Sequence, residues 1–296
     1  MERSIAKERI IQIFKKKVFG KYPSKNQLLS QHKGKIGHWF EEKMGVKHNA
    51  DGNADLFGWE LKAKGKKMSW GDWSAPYRIF CDQRFDFNAK TVKENQWRFA
   101  RIFGVYRLDS KAYSWSGDHV PDYIETRKHS GMTIRLDKNK DISIYYDYSL
   151  DKRKDKTNQV PRVLRKNNLL LMRWHGTDQS FNQYKSYVIE NKLPIHAIFE
   201  GKRRLISLEE RVRRKFNVHG IAFGLYSKEA FFGLTFTKAV SFDDWISYFI
   251  NKDIFYDTGL TERNKRPYNQ WRSHKSFMDS LVEDEYFPTK DSQLDF

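Results

Sequence analysis

The sequence predicts a mixed α/β or α+β fold, and three observations carry that reading. Stretches with apolar residues at three- and four-residue steps are interspersed with stretches in which apolar and polar residues alternate. The two periods mix along the chain instead of segregating, which is the pattern of helices packed on sheets. Of the 296 residues, 39% are hydrophobic and 16% aromatic, enough to fill one large or two smaller cores.

The first helix comes from Ile5, Ala6, Ile10, Ile13, Phe14 and Val18, with Gly20 to Pro23 as its terminator. A second runs between Gly34 and Gly45, where Ile36, Phe40 and Met44 form an i, i+4, i+8 stripe. A polar turn at His48 to Asn53 leads into Trp59-Glu60-Leu61-Lys62-Ala63-Lys64, whose alternation reads as a strand. Further strands are expected at Ile102 to Tyr106, Met132 to Leu136 and Ile142 to Tyr146, the last two joined by a turn at Asp137 to Asp141. Asp151 to Asn168, rich in Lys, Arg, Asp and Asn, reads as a linker or exposed loop. It places a soft boundary between lobes 1–165 and 166–296. Beyond it come a strand at Leu169 to Met172, a helix at Ser207 to Lys215, and strands at Ile221 to Tyr226 and Phe232 to Thr237. A basic, aromatic segment from Thr258 to Lys275 follows.

Charge and cysteine usage narrow the function. Lys and Arg number 55 against 37 Asp and Glu, a formal charge of +18, which favours a polyanionic partner. The single cysteine, Cys81, excludes an internal disulfide, a zinc cage of several thiolates and a cysteine-held iron–sulfur cluster, and fits a reducing cytoplasm. Apolar runs such as Ile221 to Tyr226 are too short for a bilayer and the N-terminus is charged, so no membrane partner is expected. Neither Gly-x-Gly-x-x-Gly nor a phosphate loop ending in Gly-Lys-Ser/Thr occurs, so no nucleotide cofactor is expected.

Chemistry concentrates in Asp55-Leu56-Phe57-Gly58-Trp59-Glu60-Leu61-Lys62. On a strand, residues two apart share a face about 6.6 Å apart, so Glu60 and Lys62 stand side by side while Trp59, Leu61 and Ala63 face the core. Asp55, just before the break at Gly58, can approach from an adjoining turn or strand end. Two carboxylates suit Mg²⁺, which takes oxygen ligands and keeps several waters, and the ammonium of Lys62 can offset charge building on a phosphate. The same alternation also describes an ordinary charged strand face. His32, His38 and His48 lie in this region but have neither cysteine partners nor an i, i+4 pairing, and Trp174-His175-Gly176 has no evident role.

Upstream stand Lys33-Gly34-Lys35-Ile36-Gly37, then Glu41 and Gly45. Together with Asp55 and Glu60-Leu61-Lys62, this order closely resembles the MutH-like branch of the PD-(D/E)XK nucleases. That branch contains MutH-type mismatch-repair nickases and restriction endonucleases of the MvaI and BcnI type. The match covers residues 33–64. The resemblance implies a mixed β-sheet core flanked by helices with a C-terminal DNA-recognition lobe, Asp55 and Glu60 as metal ligands, Lys62 as the catalytic lysine and Glu41 as a supporting carboxylate. From the helix pattern alone, Glu42 competes with Glu41, and either could be a solvated flank.

The expected partner is double-stranded DNA. Lys64, Lys66 and Lys67 follow the catalytic strand, as phosphate contacts or as a basic loop. Lys228, in the turn Tyr226 to Glu229, and Lys238 are candidate base readers. In the later segment Arg263, Arg266, Tyr268, Gln270 and Arg272 combine cations, an amide and an aromatic ring. The resulting expectation is a monomeric, Mg²⁺-dependent type II restriction endonuclease cutting a short palindromic or pseudopalindromic site, CCNGG-like before GATC-like. A MutH-like nicking enzyme and an inactive DNA-binding protein are the alternatives.

Overall fold

The computed structural model describes residues 1–24, 27, 34–46, 52–82, 84–85, 87, 91–117, 120–125, 129–193, 199–200, 203–262, 264 and 267–289, with backbone alone at 199–200 and 203–204. His32, Lys33, His48, Arg263, Lys265 and Arg266 therefore lie outside the described residues. The elements begin with α1 (Arg3–Lys17), α2 (Lys35–Met44), β1 (Trp59–Ala63), β2 (Lys67–Asp72), β3 (Tyr77–Arg78), α3 (Val92–Phe103), β4 (Val105–Arg107) and β5 (Ala112–Ser116). Then come β6 (Met132–Leu136), β7 (Ile142–Tyr146), α4 (Lys156–Gln159), β8 (Leu169–Trp174), α5 (Asp178–Glu190), β9 (Phe199–Glu200), β10 (Arg203–Arg204) and α6 (Leu208–Lys215). The last are β11 (Gly220–Tyr226), β12 (Phe231–Thr237), α7 (Phe242–Ile250), β13 (Phe255–Thr261), β14 (Asn269–His274), α8 (Lys275–Ser280) and β15 (Val282–Tyr286). The expected mixed α+β class holds: helices flank several sheets. No described helix is long and apolar enough to cross a membrane.

The chain forms two compact units. One comprises Met1–Met68, Arg211–Trp245 and His274–Phe296; the other comprises Ser69–Glu210 and Ile246–Ser273. Each unit thus draws on chain before and after residue 165.

The first unit is built on a four-stranded sheet of order β1-β11-β12-β15. β1 runs parallel to β11, pairing Glu60 with Ile221 and Lys62 with Phe223, and the other pairs are antiparallel. α1 and α2 cover one face. Ala6, Ile10 and Phe14 of α1 and Trp39, Phe40 and Met44 of α2 join Trp59, Leu61, Ala222, Phe231, Leu234 and Phe236 in one core. Close approach at Gly224 explains how α2 seats: a Cβ there would lie 2.7 Å from the Phe40 ring, which stacks on Phe231 at 5.2 Å. α2 ends at Gly45, whose φ of 93° lets its amide reach the Glu42 carbonyl and the Val46 amide reach that of Glu41.

The second unit holds a five-stranded sheet of order β2-β14-β13-β5-β4, a four-stranded antiparallel sheet of order β3-β8-β7-β6, and the β9–β10 hairpin. One sequence expectation changes here and two are sharpened. Ile102 and Phe103 belong to α3, not to a strand, because Thr91 and Glu94 form a capping box and Phe99, Ala100 and Phe103 bury one helical stripe. The strand starts only at Val105, after Gly104 stops the helix. Asp151 to Asn168 is not a simple linker. Tyr146 donates to buried Asp151 at 2.7 Å, Arg153 forks onto the same carboxylate, and Arg153 also donates to the carbonyls of Ile102 and Gly104. Most of the segment is exposed, as its polarity indicates, but Asp151 and Arg153 satisfy each other inside the fold and Val160 and Leu164 are buried. The aromatic segment from Thr258 contributes to β13 and β14, and Trp271 is core, edge-on to Trp174 at 5.2 Å.

His175 also gains an account. Its Nδ1 lies 3.1 Å from Asp141 and 3.0 Å from Ser180 Oγ, and Ser180 donates to Asp141 at 2.9 Å. Serine and carboxylate share the same ring nitrogen, so this buried network is a fastening of β7, β8 and α5. It lacks the relay order of a catalytic triad.

Candidate active site

The turn before β1 brings the acidic groups together. Leu56 and Trp59 exchange both backbone hydrogen bonds, at 3.0 and 2.9 Å, around Phe57 and Gly58. Both central residues have positive φ, 51° and 85°, as a two-residue type I′ turn requires. Phe57 tolerates this left-handed conformation with Arg9 packed over its ring at 5.6 Å. The reversal lays Asp55 against β1, where its Oδ2 accepts the Leu61 amide at 2.9 Å. A Cβ at Gly58 would meet Val218 at 2.6 Å and His219 at 2.8 Å. Gly58→Ala is therefore expected to lower the unfolding free energy by about 1–3 kcal/mol, read by urea denaturation; an unchanged midpoint would remove the turn as a determinant of the site.

Alternation on β1 works as the sequence indicates. Trp59 and Leu61 are fully buried in the core, Trp59 edge-on to Phe236 at 5.1 Å, so Glu60 and Lys62 occupy the opposite face. Glu60 is nevertheless only 3% exposed. Its Oε1 accepts Lys62 Nζ at 2.9 Å and Lys215 Nζ at 2.8 Å, while Oε2 is buried with no hydrogen-bond partner.

Electrostatics separates the two carboxyls. Burial and the neighbouring Glu60 charge push Asp55 up to about 6, against the Leu61 amide, Lys62 and Lys215, which pull it down. Burial also raises Glu60, but the ammoniums of Lys62 and Lys215 outweigh it and hold that carboxyl below its ordinary value. Lys62 is pushed up despite burial, because Glu60, Asp55 and Glu41 all favour its charged form. Glu41 thus faces the cluster from α2, with its Oε2 3.7 Å from His38 Nδ1.

Lys215 is the residue that sequence reasoning missed. It is the last residue of α6, and the carbonyl of the preceding Arg214 accepts the Ala54 amide at 3.1 Å, tying that helix end to the arm that carries Asp55. Nothing in its spacing signals this, since it lies 153 residues beyond Lys62.

The remaining candidates are dispersed. Lys64 is engaged by Asp279 at 2.6 Å and lies over Phe223, while Lys66 and Lys67 are exposed. Lys228 is exposed in the β11–β12 turn and Lys238 just past β12. On β14, Arg272 pairs with Asp257 at 3.0 Å and lies over the Tyr268 ring at 5.7 Å; Tyr268 and Gln270 are half-buried.

The comparisons with known proteins agree on one family. The model of the LlaMI restriction endonuclease family matches residues 20–286. The Type II restriction enzyme ScrFI of Lactococcus lactis subsp. cremoris is 33% identical over 289 residues, spanning 94% of this chain and 97% of that protein. The solved complex of restriction endonuclease MvaI with its cognate DNA substrate aligns with a TM-score of 0.52 at 12% identity, covering 96% of this chain and 98% of MvaI. That likeness is one of fold, and it spans nearly the whole chain. The chain belongs to the LlaMI restriction endonuclease family, and it is a type II restriction endonuclease.

Proposed function

We propose that this enzyme hydrolyses phosphodiesters of double-stranded DNA with Mg²⁺ at a PD-(D/E)XK centre formed by Asp55, Glu60 and Lys62, with Glu41 in support. One observation carries the reading: Glu60 is buried with one oxygen gripped by ammoniums and the other unpartnered, beside a carboxyl whose ionisation is suppressed. With Glu41 nearby, three carboxylates face the two ammoniums of Lys62 and Lys215, so the cluster is one positive charge short of neutrality. Among the described residues no set of three His, Cys, Asp or Glu forms a metal cage. Two hard carboxylates that leave room for water and a phosphate oxygen fit Mg²⁺ better than zinc. Asp55 and Glu60 would hold the ion, and when bound it supplies charge at the phosphate and acidifies a water.

The chain's own residues do the rest. Asp55, fixed by the Leu61 amide, and Glu60, fixed by its ammonium partners, present oxygens that need no reorganisation on binding. Lys62 places a cation where negative charge grows on the phosphate. Glu41 helps to keep Lys62 protonated. Phosphate contacts are assigned to Lys66 and Lys67, with Lys64 available only by leaving Asp279. Base contacts are assigned to Lys228, Lys238, Tyr268, Gln270 and Arg272, beyond residue 165, together with Arg263 and Arg266. The enzyme acts as a monomer without a nucleotide cofactor on a short palindromic or pseudopalindromic site, CCNGG-like in our reading.

Supercoiled plasmid incubated with the protein is expected to yield discrete fragments with Mg²⁺ and intact, retarded DNA in EDTA. Sequencing the fragment ends reads the target. A nicked circle as the end product would favour a MutH-like nickase, and retarded but uncut DNA with Mg²⁺ would leave a binding protein.

A further inference from the structure

The charges around Glu60 are more numerous than that carboxylate needs. Two ammoniums bond the same oxygen, Lys62 at 2.9 Å and Lys215 at 2.8 Å, and both side chains are largely shielded, 17% and 20% exposed. The two differ in how they are mounted. Lys62 sits on β1 two residues from Glu60, among Asp55 and Glu41 as well, so it has several carboxylates to choose from. Lys215 comes from the C-terminal turn of α6, where the helix dipole favours a cation, and that turn is pinned to the Asp55 arm through Arg214 and Ala54. Its ion pair is with Glu60, at 2.8 Å.

Building on the catalytic reading above, we propose that Lys215 is a positioning residue for DNA cleavage. It holds Glu60 by Oε1, so that Oε2 stays turned to the cation and Lys62 can leave Glu60 for the scissile phosphate without stranding a buried carboxylate. Three carboxylates, Asp55, Glu60 and Glu41, face two ammoniums. A dication and one phosphodiester then bring the cluster to neutrality with both lysines charged. Without Lys215, Lys62 is the sole ammonium on a buried carboxylate and remains there.

The test uses the full chain with Lys215→Met, Lys215→Arg and Lys62→Ala, each with and without a cleavable duplex. Lys215→Met is expected to lower the single-turnover rate at saturating Mg²⁺ by about 10²-fold, with DNA affinity in Ca²⁺ within about threefold of wild type. Mn²⁺ binding to the DNA-free protein, read by electron paramagnetic resonance, is expected to tighten, because a like charge has left the site. Lys215→Arg keeps the grip and should recover the rate to within about fivefold of wild type. Adding Lys215→Met to Lys62→Ala should cost nothing further, since the first acts through the second. A wild-type rate in Lys215→Met, an arginine variant as slow as the methionine one, or weakened Mn²⁺ binding would each overturn the proposal. Should Lys62→Ala itself cut normally, the catalytic reading fails as well; an inactive Lys62→Ala beside a fully active Lys215→Met sinks only the role of Lys215.

Discussion

Lys62→Ala is expected to lower the single-turnover rate of DNA cleavage by about 10²–10³-fold, while DNA binding in Ca²⁺ stays within a few-fold of wild type. The ammonium lies in a shielded pocket beside three carboxylates, and its charge is worth most where charge grows on the phosphate. Binding of the duplex as a whole rests on many phosphate contacts, so one buried lysine contributes little to it. Glu60 keeps Lys215 in the variant, which limits the collateral loss of stability. A variant that binds DNA much more weakly and cuts in proportion would show Lys62 to be a binding residue, and the assignment of transition-state charge to it would be wrong.

Asp55→Asn should abolish cutting and, in the same protein without metal, raise stability by about 1–3 kcal/mol above pH 6. The asparagine still accepts the Leu61 amide but carries no charge next to Glu60. The sign follows from the direction of the shift. The carboxyl titrates near 3.8 when exposed and near 6 in the fold, so the folded state holds its proton more tightly. Wild-type stability is accordingly lost as pH rises from about 4 to 6 and stays lost above, whereas the variant has no such loss. Melting curves in EDTA from pH 4 to 8 should diverge across that window, and Mg²⁺ should then raise the wild-type midpoint without moving that of the variant. Because proton and cation compete for the same oxygens, the Mg²⁺ concentration required for cutting should also climb below pH 6. Parallel melting curves at every pH would mean that Asp55 is not strained by its neighbours.

How much of this could be read from the residues follows from the range of the interactions. Local periodicity revealed α1, α2, β1, the β6–β7 hairpin, α6 and the β11–β12 hairpin, because each is specified within a few residues. The break at Gly58 and the side-by-side Glu60 and Lys62 were legible for the same reason, though the tight turn at Phe57-Gly58 was not distinguished from a strand end. α3 was misread at Ile102 and Phe103, where β-branched and aromatic residues end a helix whose signal lies eleven residues earlier, at the Thr91 cap. The segment after Asp151 is largely exposed as expected, but its anchoring through Asp151 and Arg153 was not legible, because Arg153 reaches carbonyls about 50 residues earlier in the chain. Lys215 was invisible in the sequence, since only the parallel pairing of β1 with β11 and the approach of α6 bring it to Glu60.

That long-range pairing has a consequence for biosynthesis. β1 leaves the ribosome early, but its partner β11 and the Lys215 ammonium follow only after roughly 150 further residues, and β12 and β15 later still. A nascent or prematurely terminated polypeptide ending before α6 therefore lacks both the strand that pairs with β1 and the second ammonium at Glu60. On the proposed catalytic reading, a polypeptide released before α6 is made is expected to be inactive toward DNA, and the charge cluster forms only late in synthesis.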